Sequence, residues 1–229
     1  MEHIFDLKGI SKTFGESKEV LVHALKHVDL KIKKGEFAAL IGPSGSGKTT
    51  LLNLMSGLDN PTSGSVILKG KDLFSMSGNE LSDFRRDHIG FVFQSYNLIP
   101  VLTAFENIEY ILILQGVSDN ERKERVTKAL EQVGLKGLGN KFPAHLSGGQ
   151  QQRVAVARAM VGNPDIILAD EPTANLDSVN GHALIDMMLH LNETQGVTFV
   201  FSTHDQRIID EAKRIITIED GKIVEDKTI

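Results

Sequence analysis

Gly42-Pro43-Ser44-Gly45-Ser46-Gly47-Lys48-Thr49-Thr50 decides how the rest of this 229-residue chain is read. It satisfies the pattern G-x-x-x-x-G-K-[ST]. Glu36 to Ile41 before it is an apolar run that suits a buried strand. From Lys48 through Met55 the apolar spacing turns helical, with Gly57 placed as the stop. Strand, glycine-rich turn and helix in that order meet a physical demand. Glycines accept positive φ and let the backbone come close, so successive N–H groups can converge on phosphate oxygens. The helix starting near Lys48 adds the partial positive charge of its N-terminus. Lys48 has the reach for β- and γ-phosphates, and the Thr49 hydroxyl suits Mg2+. A plain Gly/Ser turn would explain the glycines but not a lysine followed by a hydroxyl at this offset.

Further along, Ile166-Ile167-Leu168-Ala169-Asp170-Glu171 is an apolar strand that delivers two carboxylates at its C-terminal end. Open α/β sheets carry their ligand residues at that end. Asp170 is the candidate for orienting a Mg2+ hydration shell, and Glu171 for activating water for in-line attack on a γ-phosphate. Two acids capping a strand beside Pro172 is the plain alternative, and the upstream cradle weighs against it. Val197 to Ser202 is another unbroken run, as expected of parallel strands covered on both faces, with helical spacing near Gly181 to Leu191 before it. Ile4 to Leu7, Val28 to Ile32 and Gly64 to Leu68 read as strands, with Pro61 and Gly64 marking a turn. Asn79 to Asp87, Thr103 to Leu114 and Asp119 to Val133 read as helices, and another follows Ser147 to about Val161. In the third of these, Val126, Leu130 and Val133 share a face, while Glu121–Arg125 and Glu124–Lys128 form i,i+4 pairs on the exposed side. The pattern predicts one α/β unit: a P-loop core with a mostly parallel sheet, an N-terminal antiparallel β part, and an α-helical subdomain inserted over roughly Gln94 to Val161.

Bulk properties narrow the class. Hydrophobic residues make up 41% of the chain, enough for a packed interior in one large domain. The formal charge of −5 argues against wholesale phosphate neutralisation, so no nucleic-acid partner is expected. Without cysteine there is neither a disulfide nor a Cys-ligated zinc site. Met1-Glu2-His3-Ile4-Phe5-Asp6 lacks the basic start and apolar run of a signal peptide. No apolar stretch nears the roughly 18–20 residues that span a bilayer. A role in membrane transport would need another chain to supply the path.

Leu146-Ser147-Gly148-Gly149-Gln150 opens a helix of its own. Ser147 with Gln150 three residues on is a capping-box pattern. That leaves unexplained two glycines in the first turn, each costing roughly 0.5–1 kcal/mol relative to alanine. Close backbone access at a helix N-terminus suits an anion. The pentapeptide stands between the cradle and the Asp170-Glu171 strand, and it resembles the signature of the ABC ATPase family. The resemblance covers essentially the whole chain. It implies an ATP-hydrolysing subunit using ATP and Mg2+, in a homodimer that sandwiches two ATP head to tail. By the same resemblance Ser147, Gly148, Gly149 and Gln150 of one copy face the γ-phosphate held in the other copy's cradle.

Other family positions follow in order. Gln94, after the strand-like Phe91-Val92-Phe93, matches the glutamine that touches Mg2+ and water and contacts the membrane partner. Ala174-Asn175-Leu176-Asp177 matches the loop crossing the dimer interface, with Asp177 as its acidic residue. His204, after the strand ending at Ser202, matches the histidine expected to bond the γ-phosphate. Phe14, in Lys12-Thr13-Phe14-Gly15, matches an aromatic that stacks on adenine; tyrosine is usual there, but stacking needs only a π-face. Read as residues alone, Gln94 is a loop residue, Asn175 to Asp177 a helix start and Phe14 a turn-packing aromatic, and those readings stand beside the family ones.

Three features resemble the lipoprotein-releasing and macrolide-exporting ATPases, with the cell-division ATPase a near relative. They are Arg85-Arg86-Asp87-His88-Ile89-Gly90-Phe91-Val92-Phe93-Gln94, then Asn97-Leu98-Ile99-Pro100, and the run LSGGQQQR from Leu146 to Arg153. The resemblance implies a polytopic membrane permease as partner and a place at the cytoplasmic face of the membrane. Tyr96 to Leu102 with Phe105 is either the bed for that partner or ordinary packing of the helical insertion. No sustained heptad pattern lies between Gln94 and Ser147, unlike the DNA-maintenance members of the family.

Overall fold

The computed structural model describes residues 3–15 and 21–229. Met1 and Glu2, part of the N-terminal reading above, lie outside them. In chain order the elements are β1 (His3–Phe14), β2 (Val22–Lys33), β3 (Phe37–Ile41), α1 (Lys48–Met55), β4 (Ser63–Leu68) and β5 (Lys71–Asp72). Next come α2 (Gly78–His88), β6 (Ile89–Val92), α3 (Ala104–Leu114), α4 (Asp119–Gln132) and α5 (Gly148–Val161). The chain then runs through β7 (Ile166–Asp170), α6 (Ser178–Gln195), β8 (Phe199–Ser202), α7 (Gln206–Glu211), β9 (Arg214–Glu219) and β10 (Lys222–Thr228).

Two sheets result. One is antiparallel, in the order β2-β1-β4-β5; the other has six strands in the order β10-β9-β3-β8-β7-β6. From β9 to β6 the second sheet is parallel, and only β10 runs against it. Alternation along its buried strands separates two cores. Ala38, Leu40, Ile166, Leu168 and Val200 face α1 and the antiparallel sheet, whereas Phe37, Ile167, Ala169, Phe199 and Phe201 face the helices. Both sets are buried, which explains the unbroken apolar runs in the sequence. Because the strands are parallel, Ile41, Asp170 and Ser202 end on one edge, and everything chemical gathers there.

Two expectations shift in detail. The first strand runs past Leu7 to Phe14, carried by register shifts near Gly9, whose φ is 57°. The helix read near Gly181 to Leu191 extends back to Ser178 with Asp177 as its cap, in agreement with the reading of Asn175 to Asp177 as a helix start. Of the ion pairs read on α4, Glu121–Arg125 forms at 3.5 Å. A stronger link is Arg122 Nε to Glu109 at 2.9 Å, which ties α4 to α3. Helix α5 packs on α3 and α4 and also lies on β6, so it links those helices to the sheet.

Candidate functional site

The cradle glycines have different reasons to be glycine. A Cβ on Gly42, at φ 144°, would lie 2.0 Å from the Ile218 carbonyl oxygen of β9. On Gly47, at φ 109°, it would lie 2.6 Å from the Ala24 carbonyl oxygen of β2. A Cβ on Gly45, at φ 79°, would meet nothing within 4 Å among the described residues, so its bare backbone opens outward. The far wall of the loop is the turn after β9. Gly221 N donates to Ser46 O at 3.0 Å, Lys26 N donates to Gly221 O at 2.7 Å, and a Cβ on Gly221 would stand 2.6 Å from Ala24 O.

Inside this frame the electrostatics favour an anion. Helix α1 starts at Lys48 with no side-chain cap and no acid in its first turn, so its N-terminal N–H groups lack a side-chain acceptor. The Ser46 hydroxyl is buried with no hydrogen-bond partner among the described residues. Lys48 Nζ donates back to Gly42 O at 2.7 Å and Pro43 O at 3.1 Å, which parks its charge at the mouth of the loop. Pro43, Ser44 and Gly45 are exposed, while Thr50 is half-buried behind Thr49.

Across the mouth, Thr49 Oγ1 donates to Asp170 Oδ1 at 3.1 Å. A hydroxyl and a carboxylate at that spacing are hard oxygen ligands of the kind Mg2+ takes, usually with several waters retained. The residues therefore fit the ion. Glu171 follows at φ 46°, an uncommon conformation for a non-glycine residue, and its N–H donates to Ser202 O at 2.8 Å. That left-handed step turns its side chain to His204, whose Nδ1 stands 2.8 Å from Glu171 Oε1, while Thr203 Oγ1 donates to Oε2 at 3.4 Å. The His204 side chain is 75% exposed against 17% for Glu171, so the imidazole's Nε2 edge is available to a ligand. Behind this pair Asp205 accepts from Thr173 Oγ1 at 2.5 Å and from the Arg207 guanidinium. Those bonds, led by Arg207, pull its pKa down to about 2. Neither Asp205 nor Arg207 stood out in the sequence; the only signal was adjacency to His204.

Ser147 forms the expected capping box: Gln150 N donates to its Oγ at 3.3 Å, and Ser147 N donates to Gln150 Oε1 at 2.9 Å. The Gln150 side chain is thus turned back onto its own helix. The glycines of the same turn are needed within the chain. A Cβ on Gly148 would meet Tyr96 Oη at 3.0 Å, and one on Gly149 would meet Asn180 Oδ1 at 2.8 Å. Asn180 in turn bonds Asp177, its N to Oδ1 at 2.9 Å and its Nδ2 to Oδ2 at 2.6 Å. Those bonds lower the Asp177 pKa. The tip of α5 therefore leans on the Asp177 cap. Among the described residues no hydrogen bond joins it to the cradle.

Gln94 is exposed just past β6, and its carbonyl accepts from Asn175 Nδ2 at 3.0 Å. Tyr96 and Asn97 follow in consecutive left-handed conformations, φ 61° and 48°. Each such residue costs of order 1–3 kcal/mol, less for asparagine. The Tyr96–Leu102 stretch divides by residue: Leu98 and Phe105 pack against the helical core, while Ile99 and Val101 are exposed. Buried Asn107 fixes the stretch through Ile99 N at 2.8 Å and the carbonyls of Leu102 and Thr103 at 3.0 and 2.9 Å. Phe14, 44% exposed at the end of β1, carries the Lys12 ammonium 4.7 Å over one face.

Comparison with known proteins bears on this geometry. The sequence pattern of a family described as ABC transporter matches residues 25–174. An ABC transporter ATP-binding protein of Bacillus subtilis, YtrE, is 44% identical over 95% of this chain and 96% of its own length. The macrolide export ATP-binding/permease protein MacB of Escherichia coli is 45% identical over 99% of this chain, which spans 35% of that longer protein. Among solved structures, the dimeric post-hydrolysis state of the ATP-binding cassette MJ0796, bound to ADP and Pi, superposes with a TM-score of 0.89. It is 44% identical and covers 98% of both chains. The protein called MJ0796 is from Methanocaldococcus jannaschii.

Proposed function

The chain belongs to the ABC transporter ATP-binding family, and from that premise we propose how it works: two copies clamp two MgATP and drive a membrane exporter of macrolide-export or lipoprotein-release type. It is an ATPase subunit. The observation that carries the mechanism is the 3.1 Å Thr49–Asp170 pair with Glu171 one residue further on, at the open face of an uncapped helix. Thr49, Asp170 and Gln94 would hold Mg2+, which when bound supplies positive charge at the β- and γ-phosphates. Lys48 exchanges its two carbonyl partners for phosphate oxygens. Glu171 accepts the proton of the attacking water as the water oxygen bonds to the γ-phosphorus and ADP leaves. His204, held at Nδ1 by Glu171, turns its Nε2 edge to the γ-phosphate. The Ser147 tip of the second copy closes the site over the terminal phosphate, and Phe14 supports the adenine.

No helix among the described residues is long and apolar enough to cross a membrane. Val101, Tyr110, Ile113 and Leu114 form an exposed apolar set on and beside α3, suited to a permease segment at the cytoplasmic face. Glu171→Gln tests the central claim. It should keep ATP binding, lower hydrolysis by about two orders of magnitude or more, and accumulate an ATP-bound dimer in size-exclusion light scattering. Unchanged hydrolysis removes Glu171 from its role. A strictly monomeric variant, at saturating MgATP and with its permease present, removes the clamp.

A further inference from the structure

Arg158 lies on α5, ten positions along from Gly148, about 15 Å by helical rise. Its side chain is half-buried, the guanidinium has no carboxylate partner among the described residues, and burial lowers its pKa. Its hydrogen bonds go to two carbonyls: Nη1 to Asn97 O at 2.6 Å and Nη2 to Tyr96 O at 3.0 Å. These belong to the two consecutive left-handed residues that follow Gln94 by two and three positions. Partly desolvating a cation is costly unless its bonds do something apolar packing cannot. Here the fork of a guanidinium spans two adjacent carbonyls of a backbone that would not hold this shape unaided.

The same loop is held elsewhere. Asn175 fixes Gln94 O at 3.0 Å, and the Tyr96 hydroxyl abuts Gly148 at the start of α5. Helix α5 thus touches the loop near both of its ends, through Arg158 and through Gly148. We propose that Arg158 is a positioning residue: by holding Tyr96 and Asn97 left-handed it sets where Gln94 stands relative to the Thr49–Asp170 pair. This rests on the reading of Gln94 given above. It adds a route by which a shift of α5, whose tip carries Ser147, moves Gln94 without any contact between the tip and the cradle of the same copy.

The test compares Arg158→Lys and Arg158→Met with Gln94→Ala and with the double variants, in steady-state ATP hydrolysis and nucleotide binding. Displacing a catalytic group by about 1 Å costs up to roughly 100-fold in rate. Arg158→Met should therefore lower kcat about 10- to 100-fold, with KM for ATP and nucleotide affinity within about twofold. Arg158→Lys, with one point charge for two carbonyls, should fall between it and the native chain. In the Gln94→Ala background either change should add less than about twofold, because a residue acting through Gln94 has little left to move. If Arg158→Met does not fold, by circular dichroism, the lysine variant decides: native kcat overturns the proposal. Equal losses with and without Gln94 also overturn it, because they mark a purely structural role. Native kcat in Gln94→Ala alone overturns the role of Gln94 and the proposal with it.

Discussion

Replacing Gly149 by alanine sets two effects of opposite sign against each other. Alanine is the better helix former by roughly 0.5–1 kcal/mol, which taken alone predicts a more stable protein. The new methyl group, however, would stand 2.8 Å from Asn180 Oδ1 and 3.1 Å from its Cβ. Non-bonded atoms settle near 3.5 Å or beyond, so Asn180 must retreat by about half an ångström or more. Its Nδ2 bond to Asp177, 2.6 Å long, then stretches towards the limit of a hydrogen bond, and the 2.9 Å cap of α6 loosens with it. Losing one such exposed bond costs about 0.5–1.5 kcal/mol. The two terms nearly cancel, so the melting temperature should stay within about 4 °C of native. Activity should not be spared, because the displaced element is the Asp177 loop, beside the Ser147 tip. We expect ATP turnover to fall by an order of magnitude or more, with ATP-driven dimerisation weakened and monomeric nucleotide affinity intact. Native turnover in a normally folded Gly149→Ala protein would refute the idea that this glycine is kept for Asn180.

Two further outcomes follow from the same geometry. Asp205 is held at a pKa of about 2, below the ordinary aspartate range. A depressed carboxylate stabilises the fold above its unfolded pKa, and that contribution drains away as pH falls from about 4 towards 2. After discounting for partial solvation, Asp205→Asn should lose about 1–2 kcal/mol at pH 7 in urea titration, with the deficit shrinking below pH 4; a deficit constant down to pH 3 would sink the assignment. Val101, 77% exposed, can accept a charge without cost to the fold. Val101→Asp should leave basal ATPase and melting unchanged while abolishing coprecipitation with the permease, whereas undiminished association would move the docking surface elsewhere.

What could be read in advance followed from local rules. The β3, β7 and β8 runs are apolar throughout because both sheet faces are covered, so their position and the carboxylates at the end of β7 were visible in the sequence. The cradle and the α5 cap were visible too, since both depend on residues within nine positions of each other. The start of α6 is legible from Asn175 to Asp177 and not from periodicity, because its first turn, Ser178-Val179-Asn180, shows no apolar spacing and the Asp177 cap defines it. Contacts between distant segments left no trace. Nothing near Gly149 points to Asn180, and nothing near Arg158 points to Tyr96. The close approach inferred for the signature glycines exists, but within one chain its agents are Tyr96 and Asn180.

The 42–49 loop is walled by Ala24, Ile218 and Gly221, and Gly221 is hydrogen-bonded to both Ser46 and Lys26. During synthesis, residues 42–49 leave the ribosome some 170 residues before Gly221 does, the difference between positions 221 and 49 in the chain. Until then the loop has its sequence but not its whole mould. Competence to grip nucleotide is consequently a late event in the life of each molecule, and an unfinished chain should not consume ATP.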